Sequence, residues 1–263
     1  MSRSLSIAAT GMAAQQVNVE VIANNIANIN TTGFKRQRAD FQDLLYQVRG
    51  TSVGVQSSQE GTIIPSGIHL GAGVRPAGVY RIHAQGSLIG TENPLDLAIQ
   101  GKGYFVVLMP NGEVGYTRAG SMQLSPTGEV VTAGGFRVQP GFAVPNNARQ
   151  ISVNAQGLMQ VFVDGQVAPI DLGRFQMVTF PNDAGLQALG NNMFRQTTAS
   201  GAAVQGNPGE PGFGTIQQGF LEASNVDIVA ELTTLITAQR AYEMNSKVVQ
   251  ASDEMLKTTN QMR

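Results

Sequence analysis

The sequence contains no cysteine. That excludes disulfides and thiolate metal sites, and it suits an exported chain that must not cross-link by accident. Charge is also scarce, at 13% of residues where about a quarter is usual. Residues 101–200 hold eleven charged side chains, six positive and five negative, and the whole chain of 263 residues has a net charge of -1. No basic face exists to track phosphates, which argues against a nucleic-acid partner. There is no polybasic stretch to hold an anionic membrane. No run of about 18 apolar residues occurs, so no segment reads as a membrane-spanning helix. The apolar start at Leu5, Ile7, Ala8 and Ala9 is broken at once by Thr10, Gly11, Gln15 and Gln16. A secretory signal core runs roughly 7–15 apolar residues unbroken, so no cleaved signal is expected.

What the sequence does have is periodicity at both ends. Leu5, Ala8, Met12, Gln15, Val19, Ile22, Ile26 and Ile29 alternate steps of three and four, a heptad seam with one polar interruption. The pattern predicts a helix over 5–29 that stops at Asn30-Thr31-Thr32-Gly33, with Gly33 in the left-handed conformation that closes a helix. Near the other end Ile228, Leu235, Tyr242, Val249 and Leu256 fall seven apart, thickened by Leu232 and Ile236. Ser224 and Asp227 have the spacing of a capping box. Asp227 and Glu231 suit the positive end of the helix dipole and Lys257 and Arg263 the negative end. Glu243–Lys247 and Asp253–Lys257 are acid-first pairs four apart. One chain cannot cover both apolar stripes, and the simplest cover is another copy of the chain, in a ring or an open helical polymer.

Between the helices the pattern changes to strands and turns. Tyr104-Phe105-Val106-Val107-Leu108-Met109 reads as a buried strand, followed by the turn Pro110-Asn111-Gly112. Residues 158–163, the turn Asp164-Gly165 and residues 166–170 read as a hairpin, and Phe175-Gln176-Met177-Val178-Thr179-Phe180 as a further strand. Regularly spaced short strands without a crossover helix indicate an antiparallel barrel or sandwich. The fold class is therefore α+β: long terminal helices packed as a coiled-coil-like helical domain around an inserted antiparallel β-rich domain. The expected divisions are 1–30, the first helix; 31–78, a connecting segment; 79–200, the β-rich domain; 201–223, a return connection; and 224–263, the second helix.

No residue set invites catalysis. His69 and His83 are the only histidines, lack ligand-like spacing, and read as surface or loop residues. Gly101-Lys102-Gly103 precedes a strand, not a helix, and Gly71-Ala72-Gly73 has no helix after it, so neither is a phosphate loop. Asp164 and Asp171 could be posed as a hydrolase pair, as in a secreted protein that binds or cleaves peptidoglycan, but the turn at Asp164-Gly165 explains the first without chemistry. Lys35, Arg36 and Arg38 are offset by Asp40 and Asp43 and read as a solvated or inter-subunit face. No metal, cofactor or small-molecule substrate is expected, and the chain reads as a structural protein.

Longer motifs carry a resemblance. Ala23-Asn24-Asn25-Ile26-Ala27-Asn28-Ile29-Asn30-Thr31-Thr32-Gly33-Phe34-Lys35-Arg36 resembles the N-terminal signature of the flagellar rod and hook axial proteins. Ser224-Asn225-Val226-Asp227 and residues 236–247, with Gln239, Arg240, Tyr242 and Asn245, are similar to the C-terminal signature. Residues 93–105 and Tyr116-Thr117-Arg118-Ala119-Gly120 match further motifs, with Tyr104 where the family more often has Phe. Gln56-Ser57-Ser58 through Ile64-Pro65-Ser66-Gly67 to residues 71–76 is similar to the extension that sets distal-rod members apart from hook members; proximal rod and hook subunits are the alternatives within the family. The resemblance implies a subunit of a straight hollow helical shaft that transmits torque and encloses the export channel. It implies export through the flagellar type III apparatus without a cleaved signal, and a place in the basal-body rod between periplasm and outer membrane. Implied partners are other copies of the chain, proximal rod proteins, the hook protein, the peptidoglycan and outer-membrane ring proteins, and the export apparatus.

Overall fold

The computed structural model describes residues 3–49, 68–165 and 168–261. Two helices bracket a β-rich middle: α1 over Arg3–Ala27 and α2 over Ile228–Gln261. Contacts group the chain into two units. One comprises 1–26, 37–80 and 228–263; the other comprises 27–36 and 81–227. The units thus fall differently from the divisions drawn on sequence. Residues 27–36, just past the first helix, belong with the β-rich unit, and residues 37–80 belong with the helices. Of the stretch similar to the distal-rod extension, residues 50–67 lie outside the described residues, as do 166 and 167 of the expected hairpin.

The first unit contains both helices and a small amount of sheet. Strand Gln37–Asp43 pairs with Val74–Arg81, and Gln47–Arg49 pairs antiparallel with Ile68–Leu70, placing Val48 opposite His69. The end of the expected connection is therefore paired strand. α1 stops at Ala27, short of the expected Ile29, and the chain leaves it through a turn in which Thr31 N–H donates to Asn28 O at 3.2 Å. α2 begins at Ile228, one residue after Asp227, so Ser224 lies too early to cap it. Its hydroxyl accepts instead from Val226 N–H at 3.3 Å. Of the two acid-first pairs, Asp253–Lys257 closes at 2.8 Å, and no ion pair joins Glu243 to Lys247 among the described residues.

The β-rich unit is built on Tyr104–Leu108, the strand expected to be buried. It pairs antiparallel with Val114–Thr117 on one side, and on the other with Arg137–Val138 along one half and Met177–Thr179 along the other. Side chains alternate across a strand, and here the alternation sorts two cores. Phe105 and Val107 pack with Leu97, Ile99, Phe142, Phe175 and Met177, while Tyr104 and Val106 pack with Tyr116, Val178, Phe180 and Phe194. The turn after the strand is made as its residues dictate, with Gly112 at a φ of 80° and its N–H donating to Met109 O at 2.9 Å. Leu158–Val163 pairs with Ile170–Arg174 in a sheet completed by Ala148–Val153, so the second arm of that hairpin starts at Ile170, later than expected. Gly33 has the positive φ predicted for it, at 68°, but for another purpose. It lies well past the helix end, and a Cβ there would sit 2.8 Å from the backbone nitrogen of Ala119.

Gly33→Ala would combine left-handed strain with that close approach. We expect the β-rich unit to lose about 1–3 kcal/mol of unfolding free energy, read as a lower urea midpoint with unchanged slope.

Candidate assembly surface

The seam residues named from spacing divide by element. On α1, Leu5, Met12, Val19 and Ile26 are half-buried and Ile22 is buried. Ile29 falls beyond the helix and is half-buried in the turn. On α2, Ile228, Leu232, Tyr242 and Leu256 are exposed, and Leu235 and Val249 half-buried. The spacing did not single out Val229, Met244, Val248 and Met255, which are exposed too. The helix carries apolar side chains at Val229 (69% exposed), Ile236 (51%) and Leu232 (44%). Burying such side chains is worth about 1.5–3 kcal/mol each, and a long exposed apolar stripe marks an interaction surface.

The motif residues serve the two units differently. Asn25 is buried in the first unit and makes three bonds: its Nδ2 donates to Gln37 O at 2.8 Å and to Glu231 Oε2 at 3.2 Å, and its Oδ1 accepts Gln37 N–H at 2.8 Å. Asn24, Gln239 and Arg240 are exposed and Asn245 half-buried. In the β-rich unit, Asn28 Oδ1 accepts the Thr31 hydroxyl at 3.1 Å, Gly33 N–H donates to Glu222 O at 2.8 Å, and Phe34 is buried.

Lys35 corrects the sequence reading. It is not part of a solvated basic face, because its side chain and that of Glu222 are both 0% exposed and their charges meet at 2.6 Å. Arg118 Nε donates to the other carboxylate oxygen at 2.8 Å. Gly86 N–H adds a bond to Glu222 Oε1 at 2.9 Å, Lys35 Nζ donates to Ala84 O at 2.8 Å, and Arg118 Nη2 to Gly101 O at 2.9 Å. Burial holds the Lys35 ammonium below its ordinary pKa, with Arg118 acting in the same direction and Glu222 opposing. Asn225 finishes the junction: its Oδ1 accepts Arg36 N–H at 2.7 Å, and its Nδ2 donates to Ile82 O and Ala84 O at 2.8 and 3.0 Å. The residues following α1 and those preceding α2 are thereby bound to each other and to the backbone at Ile82, Ala84 and Gly86. Nothing local could have announced this, since Lys35 and Glu222 are 187 residues apart.

His83 is half-buried in the irregular segment after Val74–Arg81, a loop residue as expected, and it has a partner. Its Nδ1 lies 2.8 Å from the Tyr104 hydroxyl, so the tyrosine that departs from the usual Phe has a partner. Burial, with the positive charges of Lys35, Arg81 and Arg118, pushes the His83 ring down to about 4. Burial, with the negative charge of Asp183, pushes the Tyr104 hydroxyl up. The posed acid pair has ordinary roles: Asp164 is exposed at its turn, and Asp171 accepts from Gln160 Nε2 at 2.8 Å. Among the described residues no group of three His, Cys, Asp or Glu side chains could hold a metal ion. Among the same residues no helix is long and apolar enough to cross a membrane.

Three family profiles match the chain: flagella basal body rod protein over residues 5–35, flagellar hook protein FlgE/F/G D1 domain over 98–161, and flagellar basal body rod FlgEFG protein C-terminal over 217–262. The flagellar basal-body rod protein FlgG of Caulobacter vibrioides is 56% identical over 261 residues, covering 99% of both chains. The chain belongs to the flagellar basal-body rod protein family. The FlgG of Borreliella burgdorferi is 43% identical over 100% of this chain and 99% of its own, and the flagellar hook-basal body complex protein FlhP of Bacillus subtilis 30% over 100% of both. The rod-family match gives the buried charges a further meaning. Lys35, Arg118 and Glu222 each come from a different one of the three matched segments.

Removing one member of a buried ion pair strands the other, at a cost of about 3–5 kcal/mol. Glu222→Gln should destabilise the β-rich unit by that amount in urea titration. Lys35→Met should cost less, because Arg118 and the Gly86 amide still serve the carboxylate. His83 sets a pH dependence. Its folded pKa of about 4 lies below the ordinary 6.5, so protons bind the unfolded chain more readily. Stability is full above pH 6.5, falls as pH drops toward 4, and His83→Gln should flatten that slope.

Proposed function

We propose that this rod-family chain is a structural subunit of the flagellar distal rod, polymerising through α1 and α2 into a straight hollow shaft that transmits torque and encloses the export channel. The observation that carries the reading is the exposed apolar stripe of α2, from Ile228 through Leu232, Ile236 and Tyr242 to Leu256, on a chain whose relatives are basal-body rod proteins along their whole length. The two helices form the inner domain, paired as a coiled coil, with the β-rich unit inserted between them. The seam residues Leu5, Met12, Val19, Ile22, Ile26, Ile228, Leu232, Leu235, Tyr242, Val249 and Leu256 meet neighbouring copies. Burying the stripe against other copies removes apolar surface from water at roughly 25 cal/mol per Å². The partners are further copies, the proximal rod proteins, the hook protein, the ring proteins outside the shaft and the export apparatus, which takes the chain without a cleaved signal. The relatives are structural proteins and not enzymes, and the chain works in the same way, by packing.

Electron microscopy of the concentrated protein should show straight tubes. Leu235→Asp and Val249→Asp each place a charge in the seam and should abolish tubes while the β-rich unit keeps its thermal transition. Normal tubes from either variant would remove that residue from the seam.

A further inference from the structure

Within the first unit, the line along which α1 and α2 touch is not apolar. Ser4 Oγ lies 3.2 Å from Ser252 Oγ. A Cβ on Gly11 would lie 2.9 Å from Asn245 Nδ2, so the absence of a side chain at Gly11 makes room for that amide. Asn25 Nδ2 donates to Glu231 Oε2 at 3.2 Å, and both residues are 1% exposed. Ala238 and Ser252 are also buried. Ser4, Gly11, Asn18 and Asn25 are seven apart, as are Ser252, Asn245, Ala238 and Glu231. The rungs run in opposite order along the two helices, with Asn18 and Ala238 occupying the third by spacing.

An apolar heptad line alone does not fix register. Sliding one helix by seven residues, about 10 Å, returns every apolar position of a strict heptad repeat to an equivalent place at little cost. The polar rungs do not survive that slide. In one direction Asn25 faces Ala238 and Glu231 faces residues beyond the end of α1. In the other, Asn25 faces residues ahead of α2. In both, Asn245 loses the space at Gly11 and meets Asn18 or Ser4. A buried amide and carboxylate are left without each other, which is expensive away from water. A polar group at a seam position is the best-attested means of fixing helix register.

We infer that Ser4, Gly11, Asn25, Glu231, Asn245 and Ser252 form a register key that locks α1 against α2 of the same chain in one antiparallel alignment. The key concerns pairing within one molecule and stands whether or not the chain polymerises. Because the sequence has no cysteine, disulfide trapping reads it cleanly. The full chain carrying Ser4→Cys with Ser252→Cys should oxidise to an intrachain disulfide. Ser4→Cys with Thr259→Cys, which probes the one-heptad slip, should yield at least about tenfold less, equivalent to about 1.4 kcal/mol of preference. Adding Asn25→Leu and Glu231→Leu should raise the slipped yield toward that of the aligned pair, whereas Glu231→Gln, which keeps a hydrogen bond to Asn25, should preserve the native ratio. Should the double Leu variant fail to fold, Glu231→Ala alone makes the same test. Equal yields from the two pairs in the unaltered ladder overturn the inference. So does a slipped yield that ignores the Leu or Ala substitutions, or the absence of any cross-link in both soluble chain and polymer. Failure to form tubes with the native cross-link ratio intact counts against the polymer reading and leaves the key standing.

Discussion

A helix of thirty-four residues cannot cover its apolar side chains against one partner helix, and α2 illustrates why. The line it shares with α1 is taken up by Glu231, Ala238, Asn245 and Ser252, small or polar residues that permit close approach and specific bonds. The large apolar residues lie away from that line, and Ile228, Leu232, Ile236, Tyr242 and Leu256 stay exposed. Close pairing within the chain and apolar surface outside it are two consequences of one arrangement. Helices in water draw most of their stability from burying an apolar face, so a pair whose own interface is small and polar has strong reason to seek further packing.

The β-rich unit addresses a different problem, which is joining the segment that follows α1 to the segment that precedes α2. α1 and α2 are separated by the whole β-rich sequence, yet the segment just after the first and the segment just before the second bind each other directly. Glu222 accepts from Lys35 and Arg118, Gly33 N–H reaches Glu222 O, and Asn225 binds the backbone on both sides. Two cations around one fully buried carboxylate contribute little net stability, but they define which strands and which turn belong together. His83 and Tyr104 extend the same polar layer into the second core, where neutral imidazole is the form that burial favours.

Much of this was legible in the sequence where the signal is local. The step of seven from Ile228 to Leu256 marked α2, the run Tyr104 to Leu108 marked the central strand, and Asn111-Gly112 marked its turn. The motifs around Asn24–Lys35 and Ser224–Asn245 pointed to the right family. Helix ends were less legible, because Ile29 continues an apolar pattern that the backbone abandons at Ala27, and because Ser224 matches a cap in composition but lies four residues before Ile228, with Asp227 next to the helix instead. Lys35 was misread for a physical reason. Nearby Asp40 and Asp43 offer a local neutralisation, whereas its true partner is remote in sequence and leaves no local trace. The polar ladder was visible as spacing but hidden by habit, since a heptad search looks for apolar residues and passes over Gly11, Asn25 and Asn245.

The central claim is that the apolar stripe of α2 is covered by other copies and not by its own chain. Amide hydrogen exchange on the soluble subunit and on the assembled tube tests it most directly. The account predicts that the protection of amides from Ile228 to Leu256 rises strongly on assembly, while that of Tyr104–Leu108 is the same in both. Full protection of α2 in a stable soluble monomer, unchanged by assembly, would contradict it.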